Sequence, residues 1–285
     1  MLYVILSVFC SIIVAVLIKI ARKREIDVQQ MVLWNYPSTV LLTYFLFQPS
    51  FSDIAIDRLP IQLYVPLIVL LPSLFIFIAL AIKYSGIVKT DVAQRMSLFI
   101  PLLASFLLFH EKLTVNTAIG ISVGLIAVIC SISWGQSSGQ SKKGSFYFPA
   151  IVFVGMGIID ILFKQIAQHK EIPYITSMFI VFIGALCFAL LLLLWKILVK
   201  REYFDRSAIV WGIILGVFNF SNIFFYMKAH RALPDNPSIV FTTMNIGVIV
   251  LGTFVGILLF KEKLSKINLI GLILAIVSII IITYL

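Results

Sequence analysis

Two pairs of opposite charges stand inside long apolar runs at helical spacing. Asp91 and Arg95 are four residues apart, and so are Asp160 and Lys164, which puts each pair on one helical face where acid and base can neutralise each other. Gln94 joins the first face, so one stretch of helix offers an acid, an amide and a guanidinium together. That combination suits a small carboxylate-bearing ligand, with Arg95 on the anionic group and Asp91 holding Arg95 when the site is empty. Asn219, Asn222 and Tyr226 share a face of a second run at spacings of three and four. Asn245 with Thr242, and Asn35 with Ser38 and Thr39, add hydrogen-bonding groups from two more. Asp160 is the candidate to exchange a proton.

Each group has a plainer reading. An ionisable side chain at the centre of a membrane helix costs about 2.5–3.5 kcal/mol on insertion scales, so it defaults to function. It can also be a buried structural pair, or a cation snorkelling to the headgroups. Snorkelling is the expectation for Lys164, near the end of its run, whereas Arg95 lies about two turns inside its own and is expected to be functional. A single membrane Asn commonly bonds one helix to another for about 0.6 kcal/mol. Polar faces on four separate runs together predict a wet cavity.

The chemistry these residues exclude is as informative. The sequence contains no HExxH, GxxxxGK or paired CxxC pattern. Its two GxSxG matches, at 120–124 inside an apolar run and at 135–139 inside a polar low-complexity stretch, lack the strand-to-helix turn of a nucleophile elbow. It therefore predicts no catalytic residues, no metal site and no cofactor, and the chain is read as a non-enzyme. Cys10, Cys130 and Cys187 lie in apolar runs without paired spacing. His110, His169 and His230 fall near run ends without ligand spacing.

The elements that must position these residues are membrane spans. Apolar residues make up 61% of the chain, charged residues 12%, and the mean hydropathy is +1.12, well outside the range of soluble domains. Crossing roughly 30 Å of hydrocarbon takes about 20 apolar residues in a helix. Ten such runs are present, at 2–20, 31–48, 61–83, 89–109, 115–134, 146–167, 175–199, 208–227, 238–260 and 267–285. The first has no basic segment before Lys19 and is expected to be a retained helix. Pro37, Pro66, Pro72 and Pro101 fall inside runs and are expected to kink them. Gly120 with Gly124, Gly212 with Gly216, and Gly252 with Gly256 give small-residue spacings that let helices approach closely. The net charge of +10 lies in short loops and predicts topology, with no nucleic-acid partner.

The chain also says one thing twice. Leu108-Phe109-His110-Glu111-Lys112-Leu113-Thr114 returns as Leu259-Phe260-Lys261-Glu262-Lys263-Leu264-Ser265, a shift of 151 positions that Ile119-Gly120 and Ile270-Gly271 share. A polar, low-complexity stretch at 135–145 separates two sets of five spans and reads as a flexible linker. The predicted units are a first five-helix repeat at 1–134, the linker at 135–145 and a second repeat at 146–285. An odd number of crossings per copy turns the second upside down, so the repeats are inverted. Of the 22 Lys and Arg residues, 15 fall in odd-numbered loops and 6 in even-numbered ones, which places the odd loops in the cytoplasm and both termini outside. Glu111 and Glu262, at span ends beside lysines, read as loop anchors on opposite faces.

Ten spans, a five-plus-five duplication and Glu-Lys-Leu between spans four and five of each half resemble the drug/metabolite transporter superfamily, in its EamA-like ten-helix branch. The resemblance implies an all-α polytopic membrane protein of ten transmembrane helices in two inverted five-helix repeats. Spans five and ten would brace the periphery and the rest surround a central cavity. It implies a bacterial inner-membrane location and both termini in the cytoplasm, opposite to the charge count. Four-helix multidrug relatives carry a membrane-embedded acid in span one; this chain has none there, and Asp160 in span six is the nearest analogue.

The leading expectation is a secondary active transporter, an exporter of a small polar metabolite such as an amino acid or carboxylate, working by alternating access. Arg95, Asp91, Gln94, Asn35, Asn219, Asn222, Tyr226 and Asn245 would bind substrate. The alternative is efflux of amphipathic or cationic compounds coupled to protons through Asp160. The expected partners are the lipid bilayer, the substrate and protons, with the chain a monomer or weak homodimer.

Overall fold

Inside a bilayer every backbone N–H and C=O must be satisfied within the chain, which leaves an apolar run little choice but helix. The structure, a computed structural model, describes residues 1–49, 59–85, 87–112, 114–131, 147–260 and 265–284, without the side chains of Lys83, Ile87, Val88, Asp91, Ser131, Phe260, Thr283 and Tyr284. The second Glu-Lys-Leu copy with Glu262, and the 135–145 linker, lie outside the described residues, as does the Asp91 side chain.

In chain order the helices are α1 (Leu2–Lys23), α2 (Val28–Leu33), α3 (Asn35–Phe47), α4 (Ile61–Ser85), α5 (Ile87–Met96), α6 (Phe99–Leu107), α7 (Val115–Ser131), α8 (Tyr147–Gln168), α9 (Tyr174–Leu194), α10 (Arg206–Ala232), α11 (Pro237–Phe260) and α12 (Lys266–Tyr284). Six of them, α1, α4, α8, α9, α10 and α11, are long and apolar enough to cross a membrane alone. The shorter α7 and α12 are continuous apolar helices. The second and fourth crossings are each made of two pieces, α2 with α3 and α5 with α6.

Proline explains where those two crossings break. Pro37 and Pro101 have no N–H to donate to the carbonyl four residues earlier, at Leu33 and Ser97. The interruptions fall at Trp34 and at Ser97–Leu98. Pro66 and Pro72, by contrast, sit within an unbroken α4.

The packing repeats itself under exchange of the two halves. The first crossing packs on the eighth (α1 on α10), and the sixth packs on the third (α8 on α4). Two contacts are their own images: α7 on α12, and α3 on α9. The α7/α12 pair forms a peripheral brace, and Ser278 on α12 donates to the Gly120 carbonyl on α7 at 2.7 Å. Backbone-close packing is made by α10 against α2 and α3. A Cβ on Gly212 would lie 2.5 Å from the Met31 carbonyl oxygen, and one on Gly216 would lie 2.4 Å from that of Asn35. The outer surface carries exposed Leu107, Val115, Leu190 and Leu258, a surface for lipid.

Candidate substrate and proton site

The acid in the middle of α8 is held by a different helix. Asp160 is half-buried, and its Oδ1 accepts a hydrogen bond of 3.0 Å from the Tyr226 hydroxyl on α10. Tyr226 is itself buried and packs edge-on against Phe163, with His230 and Phe241 against its other sides.

The expected Asp160–Lys164 pair does not form, and Lys164 does not snorkel. Lys164 is 0% exposed, donates to the Pro234 carbonyl at 2.7 Å, and lies over the Phe109 ring. Glu111 and Asp235 are its electrostatic partners. The reason is geometric: the loop after α10 folds over the end of α8 and offers Lys164 a carbonyl, while Tyr226 offers Asp160 a hydroxyl.

The amides form rungs between helices. Asn219 donates to the Asn35 carbonyl oxygen at 3.0 Å, and Asn35 donates onward to the Val32 carbonyl. Ser7 on α1 donates to Asn222 Oδ1 at 2.7 Å. Asn245 donates to the Phe241 carbonyl of its own helix at 3.0 Å. Among the described residues the Asn222 amide nitrogen and the Asn219 carbonyl oxygen stay open, and Asn219, Asn222 and Asn245 are all half-buried.

Gln94 and Arg95 occupy the last turns of α5, just before the Ser97–Leu98 break, and both are half-buried. The Ile100 side chain lies against Gly157 of α8, which fixes the relative level of the two helices. Arg95 precedes Ile100 by five residues and Asp160 follows Gly157 by three, so the two groups lie on opposite sides of that contact. The two candidate charged sites are thus stacked along the crossing and are not one shell.

Each membrane face is pinned by polar contacts. On the odd-loop face Asp27 caps α2 through the N–H groups of Gln29 and Gln30, and its other oxygen takes the Lys196 ammonium at 3.1 Å. Lys196, in a π turn closing α9, also holds Glu202 at 2.8 Å. Asp205 caps α10 and accepts from the Asp27 N–H. Burial alone would raise the Asp27 carboxyl, but the Gln30 N–H, the Lys196 charge and their side-chain bonds together hold it below its ordinary range. On the even-loop face Glu111 accepts from the Ser238 N–H at 2.9 Å and the Ser238 hydroxyl at 2.5 Å, tying the first repeat to the start of α11. Burial pushes its carboxyl up, against the opposing pull of Ser238 and Lys164. Beside it opens a cavity of about 1420 Å³ bordered by Glu111, Gln168, Arg231, Pro234 and Asp235.

Asp27, Asp205, Lys196 and Gln168 carry no functional expectation from the sequence, and His230 carries only that of a histidine without ligand spacing. An Asp ahead of an apolar run is an N-cap signal, and Asp27 followed by Gln30 has capping-box spacing. Gln168 and His230 continue the four-residue spacing of Asp160–Lys164 and of Tyr226.

Ten crossings in two exchangeable sets of five, with polar groups at mid-span and a pinned loop cluster at each face, are the architecture of a polytopic membrane transporter. The EamA-like transporter family matches residues 1–133 and again 142–284, and the chain belongs to that family. It is 41% identical over 289 residues to an uncharacterized protein of Haemophilus influenzae, covering 99% of this chain and 97% of that one. A protein of known crystal structure has the same fold at a TM-score of 0.72 and 13% identity, over 98% of this chain and 96% of its own.

Proposed function

We propose that the protein is a secondary active transporter of the bacterial inner membrane that exports a small polar metabolite, such as an amino acid or other carboxylate, by alternating access. The observation that carries this reading is Asp160. It is an acid at mid-crossing whose hydrogen-bond partner is a neutral phenol and not a fixed cation, so it is free to gain and lose a proton. Arg95, Gln94 and the Asp91 position lie nearer the odd-loop face on α5, where they would take the substrate's anionic group. Asn35, Asn219, Asn222, Tyr226 and Asn245 supply hydrogen bonds across the remaining level. Substrate and proton then bind at separate heights on the two sides of the Gly157–Ile100 contact.

Thermal-shift screening of the purified protein against a metabolite panel identifies the ligand class. Flux in proteoliposomes under an imposed pH gradient then tests the roles. Arg95→Gln and Asp160→Asn should each abolish transport while the protein still inserts. Unchanged flux in Arg95→Gln removes Arg95 from the site.

One observation favours a second reading, proton-coupled efflux of cationic amphipathic compounds. Phe163 and Phe241 pack on Tyr226, the residue that bonds Asp160, and aromatic faces near an acid attract organic cations. That reading requires Asp160→Asn to abolish drug resistance in cells while Arg95→Gln retains it.

A further inference from the structure

His230 is fully buried, and neither ring nitrogen has a hydrogen-bond partner among the described residues. Buried polar atoms are nearly always satisfied, so an imidazole with both nitrogens open calls for an explanation. Its position supplies one. Asp160, Lys164 and Gln168 descend one face of α8 at four-residue steps, and Tyr226, His230 and Pro234 descend the facing side of α10 and the loop after it. The outer rungs are hydrogen-bonded. Tyr226 donates to Asp160 and Gln168 donates to the carbonyls of His230 and Pro234, while between them the Lys164 charge repels a proton on His230, so that the imidazole gives up any proton it takes. The His230 ring stands 4.7 Å from that of Tyr226. The last rung, Gln168 with Pro234, borders the large cavity on the even-loop face.

We propose that this α8/α10 seam is the proton path between the even-loop cavity and Asp160, with His230 as the group that relays the proton. A proton arriving from the cavity binds one ring nitrogen, and the proton on the other leaves through Tyr226, whose hydroxyl already points at Asp160. The carboxylate becomes a carboxylic acid and the imidazole returns to its neutral form; no electrons move. Release runs the same steps backwards. Imidazole suits this task because its two nitrogens accept and donate independently.

The other titratable groups around this end of α10 include His110, Lys112, His169, Lys170 and Glu171, which border the cavity. On α8 they are Asp160 and Lys164. Glu111 and Asp235 stand on the flanking loops, with Tyr3 on α1 and Tyr174 on α9. On α10 itself, Lys228 lies over Tyr3 and Arg231 over Tyr174, so both are turned away from the seam. From α11 the ring of Phe241 meets His230, and from α3 Phe47 packs on Phe224, earlier on α10.

The proposal rests on Asp160 being the proton-exchanging group, and the test separates the two claims using protons as the only probe. In lipid nanodiscs, time-resolved infrared spectra after a pH step follow the protonated-carboxyl C=O band, assigned to Asp160 by its loss in Asp160→Asn. His230→Gln should slow its appearance by at least about tenfold while leaving thermal stability in place. An unchanged rate overturns the relay, and the Asp160 reading stands. No titrating band removed by Asp160→Asn overturns both. If His230→Gln does not fold, ¹⁵N-histidine spectra of the wild-type protein and Tyr226→Phe decide. The His230 nitrogens, distinguishable from those of His110 and His169, must change their titration when the phenol is removed; indifference sinks the path.

Discussion

Tyr226 on α10 donates to Asp160 on α8 at 3.0 Å, while Lys164, one turn further along α8, turns to the Pro234 carbonyl. The acid and the base that helical spacing would pair are each claimed by the neighbouring helix or its loop. The charge at mid-crossing is therefore held by a neutral group that can follow its protonation state.

Tyr226→Phe should weaken transport without unfolding the protein. Losing the hydroxyl leaves Asp160 without its donor, a cost of about 1–3 kcal/mol for a buried group, while the ring contacts to Phe163, His230 and Phe241 persist. The expected result is flux reduced roughly tenfold, in keeping with a step of about 1.4 kcal/mol, and a displaced pH profile in proteoliposomes. A Tyr226→Phe protein with the wild-type pH profile would show that the hydrogen bond has no part in proton exchange.

Gly216→Ala tests the seam between α10 and the α2/α3 crossing. The new methyl would meet the Asn35 carbonyl oxygen at 2.4 Å, and backbone cannot step aside as a flexible side chain does. Overpacking of this kind costs about 1–3 kcal/mol and would break the Asn219–Asn35 bond by pushing α10 outward. Gly252→Ala is the control, since its nearest neighbour is the end of the Ile12 side chain at 3.3 Å. Thermal unfolding in detergent should show a clear loss for the first and little change for the second.

The crossings and their duplication were legible because bilayer thickness dictates run length, and because Glu-Lys-Leu marks the same loop in both copies. The breaks at Trp34 and Ser97–Leu98 were half legible. Proline forbids a specific backbone bond, but Pro66 and Pro72 show that a membrane helix can absorb that loss. The site was less legible still. Periodicity reveals which residues share a face of one helix, but not which helix faces them. Asp160–Lys164 therefore read as a pair when each has its partner on α10 or the loop beyond. His230 stood out by no spacing of its own, only by its step from Tyr226 once that helix was set against α8.

Lys196 should be the most sensitive single position of the odd-loop cluster. It is 10% exposed and serves Asp27 and Glu202 together, between an exposed pair worth up to about 1 kcal/mol and a buried one whose rupture costs about 3–5 kcal/mol. Lys196→Ala strands both acids and should lower thermal stability measurably. Glu202→Gln, at the more exposed end, should cost under about 1 kcal/mol. Equal effects in thermal melts would mean that Lys196 does not organise the cluster.

The two faces should respond to pH with opposite signs. Asp27 titrates below its ordinary value of about 3.9, since the Gln30 N–H and Lys196 outweigh burial. Its stabilising share is present above that value and is lost as pH falls through the lower folded one. Glu111 titrates above its ordinary value of about 4.3, since burial outweighs Ser238 and Lys164. The folded protein then binds the Glu111 proton more tightly than the unfolded chain does. Its share is full below about 4.3 and is lost as pH rises through the raised folded value. Melting temperatures recorded from acid to neutral pH should therefore separate the two groups. Asp27→Asn should flatten the fall on the acid side. Glu111→Gln, which keeps an acceptor for the Ser238 N–H, should flatten the decline towards neutrality, whereas Glu111→Ala also uncaps α11 at a cost of about 1 kcal/mol. If Glu111→Gln leaves the neutral limb unchanged, burial does not dominate at that carboxyl.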